Sequence, residues 1–143
     1  MSDLTSLLAR VEAATGPDRE LDAAILEIMA GYRNLSTDGE CQIWDRGNHG
    51  YWTLDGDDWN ERLPSPTASI DAALALVQEN LPGWNWSVMS QRPQGKPFAI
   101  ARVARVIGDD VEGYDAIHDA APLAILSALL RALIAQSKEQ AHG

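Results

Sequence analysis

Apolar positions along this chain switch between a helical period and a strand period. Leu4, Leu7, Leu8 and Val11 recur at helical spacing behind Asp3, a suitable N-cap. Gly16-Pro17 ends that helix and opens the next, where Asp18 and Glu20 suit the positive end of the helix dipole. Leu21, Ala24, Ile25, Ile28, Met29 and Tyr32 then form one apolar stripe. From residue 40 to 54 the period shortens. "ECQIW" and "YWTL" flank the turn-rich "DRGNHG" and predict a hairpin, with Trp44 and Trp52 facing each other across the strands. "DGDDWNERLPSP" reads as a loop, and Ser65 and Thr67 are candidate caps for a third helix whose stripe is Ile70, Ala73, Leu74, Val77 and Leu81.

Pro82-Gly83 stops that helix. In "WNWSVM", Trp84, Trp86 and Val88 fall on one face of a strand and Asn85 and Ser87 on the other. The pattern predicts that Trp86 is buried between the sheet and a helix. "FAIARVARVI" is the second strand of this hairpin, and residues 108–119 are left as an acidic stretch. The last helix carries Asp119 as its cap, Pro122 in its first turn, and a wide apolar face of Leu123, Leu126, Leu129, Leu130, Leu133 and Ile134. Residues 136–143 read as a loose tail. The order helix, helix, hairpin, helix, hairpin, helix predicts one α+β domain over 1–143. Its expected form is a layered helix–sheet–helix sandwich, with helices covering both faces of an antiparallel sheet of about four strands.

Composition narrows the function. The 143 residues are 45% hydrophobic, enough for a real core. The longest apolar run, 120–135, is broken by Pro122, Ser127 and Arg131 and falls short of the roughly 18–20 residues that span a bilayer. The first residues carry Asp3 and no basic segment, unlike a signal peptide, so the expected location is the cytoplasm, with no membrane association. Cys41 is the only cysteine, which excludes an internal disulfide and a cysteine-based zinc site within one chain. A formal net charge of -10 opposes the ordinary cationic mode of nucleic-acid binding. Only residues 71–107, with Arg92, Lys96, Arg102 and Arg105 against Asp71 and Glu79, are net positive.

Chemistry-bearing residues are sparse. "DGDDWNE" places Asp55 and Asp57 like calcium ligands, but Trp59 and Asn60 occupy the fifth and sixth positions, so the loop fails as a calcium site. His118 beside Asp119 is the one pair suited to acid–base work, although adjacent residues seldom point together and capping accounts for Asp119. His49 reads as an exposed turn residue and Cys41 as a small buried one. No phosphate loop, dinucleotide fingerprint, zinc-protease motif or nucleophile elbow is present. The tryptophan-rich hairpin is the remaining candidate. Trp44, Trp52 and Trp59, with Arg62 and Arg92, have the aromatic and cationic groups that hold a nucleotide-like ligand by stacking and charge. Arg102 and Arg105 also enter this set, but an odd spacing sends them to opposite faces of a strand. The simpler reading of the whole set is core tryptophans plus surface cations.

Four stretches, "ATGPDRELDAAI" (14–25), "YWTLDGDDWNERLPSPTASIDAALALV" (51–77), "LPGWNWSVM" (81–89) and "PLAILSALLRALIA" (122–135), together resemble the phage ABA sandwich domain, a family of small phage and prophage proteins. The junction from "SIDAALAL" to "GWNW" is its most specific piece. The resemblance implies a helix–sheet–helix sandwich and a phage or prophage origin, and it carries over no catalytic residue. The resulting expectation is a non-enzymatic accessory protein that binds a protein or a small ligand, without cofactor or metal. The alternative is a small-molecule sponge for nucleotide-like ligands, ahead of an acidic DNA mimic or an enzyme. The breadth of the last helix's apolar face adds a homodimer to the expected partners. From charge alone, the protein should not retard duplex DNA in a gel even at low salt, where phosphate binding is strongest. A salt-sensitive complex with random DNA would contradict this.

Overall fold

The computed structural model of the chain describes residues 3–35, 42–47, 51–56, 60–91 and 98–142, the side chains of 91 and 139–142 excepted. Four helices occur among them: α1 (Asp3–Ala13), α2 (Arg19–Met29), α3 (Ile70–Asn80) and α4 (Ala121–His142). The strands are β1 (Arg33–Asn34), β2 (Ile43–Asp45), β3 (Tyr51–Thr53), β4 (Glu61–Arg62), β5 (Asn85–Gln91), β6 (Phe98–Ile107) and β7 (Asp110–His118). The chain is an α+β domain.

The two hairpins do not share a sheet. β1–β2–β3–β4 form one sheet and β5–β6–β7 another. The reason lies at the edges of the first hairpin. β1 pairs antiparallel with β2, and β4 pairs parallel with β3, so both sides of the β2–β3 hairpin are taken by two-residue segments close to it in sequence. The second sheet also gains a strand that the sequence reading left as an acidic stretch. Gly108, at a φ of 61°, and Asp109 make a two-residue turn between Ile107 and Asp110, and β7 runs back along β6.

Caps and turns set the helix ends. The Asp18 carboxylate accepts the Leu21 N–H at 3.0 Å and starts α2. α3 is capped by Ser69, which accepts the Ala72 N–H at 3.1 Å, and not by Ser65 or Thr67. Those two residues are buried and serve another purpose. α4 runs to His142, through the segment that the sequence leaves as a tail.

α4 is the centre of the fold. Leu123 through Leu130 and Ala132 are all buried, so the helix is covered on every side. β6 and β7 pack on it, and so do α1 and α3. The inner face of the sheet presents the small side chains Ala99, Ala101 and Ala116, which let the helix lie close. The helices therefore stack in depth behind one face of the three-stranded sheet, instead of flanking both faces. Residues 121–138 reach a mean hydropathy of 1.2 and by length and composition alone suffice to cross a membrane, contrary to the sequence reading; half of that window is buried inside the protein. The apolar face of α4 is consumed within one chain.

Trp86 departs from expectation. The alternation places it correctly, since it pairs with the buried Val103 and shares the inner face. It is nevertheless 44% exposed. β5 is an edge strand, and α4 lies mainly over β6 and β7, so the cover stops short of it. Truncation should separate the two positions. Leu129→Ala should cost about 2–5 kcal/mol in chemical denaturation, as buried leucines do, whereas Trp86→Ala should cost about 1 kcal/mol or less. Equal losses would contradict this layering.

Candidate functional site

The tryptophan constellation proposed from the sequence is only partly within the described residues, because Trp59 and Arg92 lie outside them, as do Cys41 and His49. Trp44 and Trp52 are cross-strand partners. Both indoles point inward. Trp44 is 1% exposed, and its Nε1 donates to Glu27 Oε1 at 3.0 Å. Trp52 is buried edge-on against Tyr32, with ring centroids 5.1 Å apart at 74°. The Arg46 guanidinium covers the Tyr32 ring at 5.3 Å and reaches Glu79 at 3.2 Å. Burial pushes the Tyr32 phenol above its ordinary pKa, against the opposing pull of Arg46. Arg62 lies on β4, exposed.

A cleft of about 260 Å³ does open beside Trp44. Its wall includes Glu20 and Glu27 together with Asn34. The lining is anionic, and the indole next to it shows an edge occupied by Glu27 and no face for stacking.

His118 is the second candidate. Its Nδ1 accepts the Ala120 N–H at 3.0 Å, so that nitrogen carries the lone pair. Nε2 then carries the proton and donates to the Ala14 carbonyl at 2.9 Å. Both ring nitrogens are committed to backbone, one at the end of α1 and one at the start of α4. The ring is a staple between two helices, and it holds the turn for which the sequence suggests Asp119.

The densest polar cluster surrounds Asp22, which is fully buried. Its Oδ1 accepts the Thr67 N–H at 2.8 Å and the Thr67 hydroxyl at 2.7 Å, and its Oδ2 accepts Arg19 Nη1 at 2.8 Å. Arg19 also donates to the Ser65 hydroxyl and to the carbonyls of Leu54, Leu63 and Pro64. Arginine, aspartate, serine and threonine together suggest catalysis, yet the hydrogen bonds they make here run to other parts of the chain, with Arg19 Nε left without a partner among the described residues. The cluster ties α2 to the ends of β3 and β4 and to the segment before α3. Among the described residues no three His, Cys, Asp or Glu side chains converge as metal ligands.

On the inner face of the second sheet, at its end, Arg105 lies 4.8 Å over the Trp84 ring and donates to Glu112 at 3.1 Å. Tyr114 donates to the same carboxylate at 3.1 Å and stands 6.2 Å from Trp84. Cation, ring and carboxylate satisfy one another. Arg102 lies on the opposite face, as the odd spacing requires, so it joins neither this group nor the tryptophan hairpin.

That opposite face is the surface the sequence reading missed. Met89, Ile100 and Ile117 form one cross-strand row and Val106 and Val111 another, all on the side away from α4. Met89 is 53% exposed, Val106 66%, Val111 64% and Ile117 67%. Among the described residues no helix covers them. Between the rows, Arg102 Nη1 donates to Asp115 Oδ1 at 2.8 Å, and its guanidinium lies over Gly113, where a Cβ would collide with it. The alternation in "DVEGYDAIH" together with the preceding Gly-Asp turn carried the signal for this strand.

The roles of the buried cluster can be tested by stability. Asp22→Ala strands Arg19 and both Thr67 donors and should cost about 3–5 kcal/mol. Asp22→Asn keeps an acceptor and should cost less, about 1–3 kcal/mol. An Asp22→Ala protein that melts like the parent would contradict the assignment.

No family model matches the chain, and no curated protein or solved structure matches it.

Proposed function

We propose that this protein is a non-enzymatic binding module that works through protein–protein contact, and that its working surface is the open face of the β5–β6–β7 sheet. One observation carries the reading: Met89, Val106, Val111 and Ile117 stand more than half exposed on a single face, while the core behind them is closed. Exposed apolar rows of this kind mark interaction surfaces. The residues suited to chemistry are otherwise engaged. His118 is held through both nitrogens, and Asp22, Arg19 and Thr67 hold the chain to itself. The anionic cleft beside Trp44 weighs against a nucleotide sponge, since phosphates would meet Glu20 and Glu27. The likeness of four stretches to the phage ABA sandwich domain supports an accessory role in a phage or prophage setting, in the host cytoplasm.

Site-directed photo-crosslinking tests the surface. A benzophenone amino acid at position 117 should give protein crosslinks in cells, and the same group at Glu20, on the cleft, should not. Equal yields at the two positions, or none at 117, would contradict the reading.

A further inference from the structure

We propose that the open sheet face binds a second copy of this chain, related by a two-fold axis that runs along and between β6 and β7. This rests on the working surface assigned above and names its partner.

The register carries the inference. On the outer face, Ile100 pairs with Ile117, Arg102 with Asp115, Ala104 with Gly113, and Val106 with Val111. A two-fold axis in the contact plane, parallel to these strands and midway between them, places each β6 position over the β7 position of the same row in the other copy. Ile100 then meets Ile117, Arg102 meets Asp115, Ala104 meets Gly113, and Val106 meets Val111. With the strands parallel, apolar meets apolar and cation meets anion, and Ala104 meets the Arg102 guanidinium that covers Gly113. Other in-plane axes fail this test. An axis along β6 itself sets Arg102 on Arg102. An axis across the strands at that row sets like charge on like charge, and one at the Ala104 row lays the charged pair on Val106 and Val111. Twisted sheets packed face to face cross at about 30°, so the match is kept at the central rows, Arg102–Asp115 and Ala104–Gly113, and the rows about 10 Å further out are offset by about one strand spacing.

The charged pair is built for such a contact. The Arg102 guanidinium is drawn over Gly113, into the space that a Cβ there would fill. Its ion pair with Asp115 has side chains 45% and 57% exposed. Two copies would bring four charges into a square of alternating sign, in which each guanidinium meets two carboxylates. Charges covered in this way remain paired, and the pairing fixes the register. The size of the face sets the strength. β6 has ten residues, hence a length of about 30 Å, and the two strands that the axis lays on the other copy, β6 and β7, span about 10 Å. That is roughly 300 Å² per copy, well below the roughly 800 Å² per partner of a standard interface. The dimer is therefore weak and depends on concentration.

Sedimentation velocity on the full chain tests this, at about 0.15 M salt to screen the net charge of -10. From about 1 to 500 μM the mass should rise from monomer toward dimer, with a midpoint in the tens to hundreds of micromolar. Arg102→Glu and Asp115→Arg, each checked for an unchanged melting curve, should each remain monomeric. An equimolar mixture of the two should recover the dimer, because the introduced carboxylate of one variant then meets the introduced guanidinium of the other, and the two unaltered partners, Asp115 and Arg102, also meet across the contact. A parent protein that stays monomeric throughout, single variants that dimerise like the parent, or a mixture that stays monomeric would each overturn the proposal. A monomeric parent whose position 117 still crosslinks to another protein would overturn only the self-association. Loss of both would overturn the working surface as well.

Discussion

A helix that is apolar around its whole circumference has to be enclosed, and α4 is such a helix. From Leu123 through Leu130, and again at Ala132, no residue retains appreciable exposure. A surface helix buries one stripe, whereas this one needs partners on all sides. β6 and β7 supply one side, and α1 and α3 supply the others. The rest of the layout follows. The three-stranded sheet gives one face to α4. α2 is fixed to the four-stranded sheet through Arg19, Asp22 and Trp44–Glu27. Among the described residues no helix is left to cover the other face of the three-stranded sheet, so enclosing α4 leaves that face open.

The polar contacts hold this arrangement in one register. Asp22 and Arg19 bring together three segments far apart in sequence, and His118 joins the end of α1 to the entry of α4. Buried charges of this kind add little net stability over apolar packing, but breaking one partner is costly. Their contribution is to specify where α2 and α1 sit. This also explains why the residue types most suggestive of catalysis are here structural: both the carboxylate and the imidazole have their hydrogen-bonding capacity taken up by the chain's own backbone and side chains.

Helix periodicity was the legible part of the sequence. The four helices appear where the apolar spacing puts them, since 3.6-residue repetition is a local property, but the buried faces are turned slightly: Ile28 and Ile70 of the expected stripes are exposed, and Leu26 and Leu76 are buried in their place. Strand alternation was legible as to face but not as to depth. Trp84, Trp86 and Val88 do lie on the inner face, yet the reach of α4 decides which of them is covered, and that is a tertiary fact. The edges were not legible. β1 and β4 are two residues each and exist only through pairing with β2 and β3. β7 was legible in principle through the Gly108-Asp109 turn, but its run of carboxylates masks the alternation of Val111, Gly113, Asp115 and Ile117. Without β7 the surface it completes is not visible in the pattern, and the aromatic residues that stand out instead, Trp44 and Trp52, have rings that face the core. Arg62 is at the surface, and Trp59 and Arg92 lie outside the described residues.

The central claim is that the apolar surface left over by enclosing α4 is a single sheet face and that a second copy covers it. Methyl NMR on a dilution series reads this surface directly. The account predicts concentration-dependent shifts at Ile100, Val106, Val111 and Ile117, with the buried methyls of Leu126 and Leu129 unmoved. Spectra that do not change on dilution, or shifts centred on Ala23, Ala24 and Leu54 in the cleft beside Trp44, would contradict it.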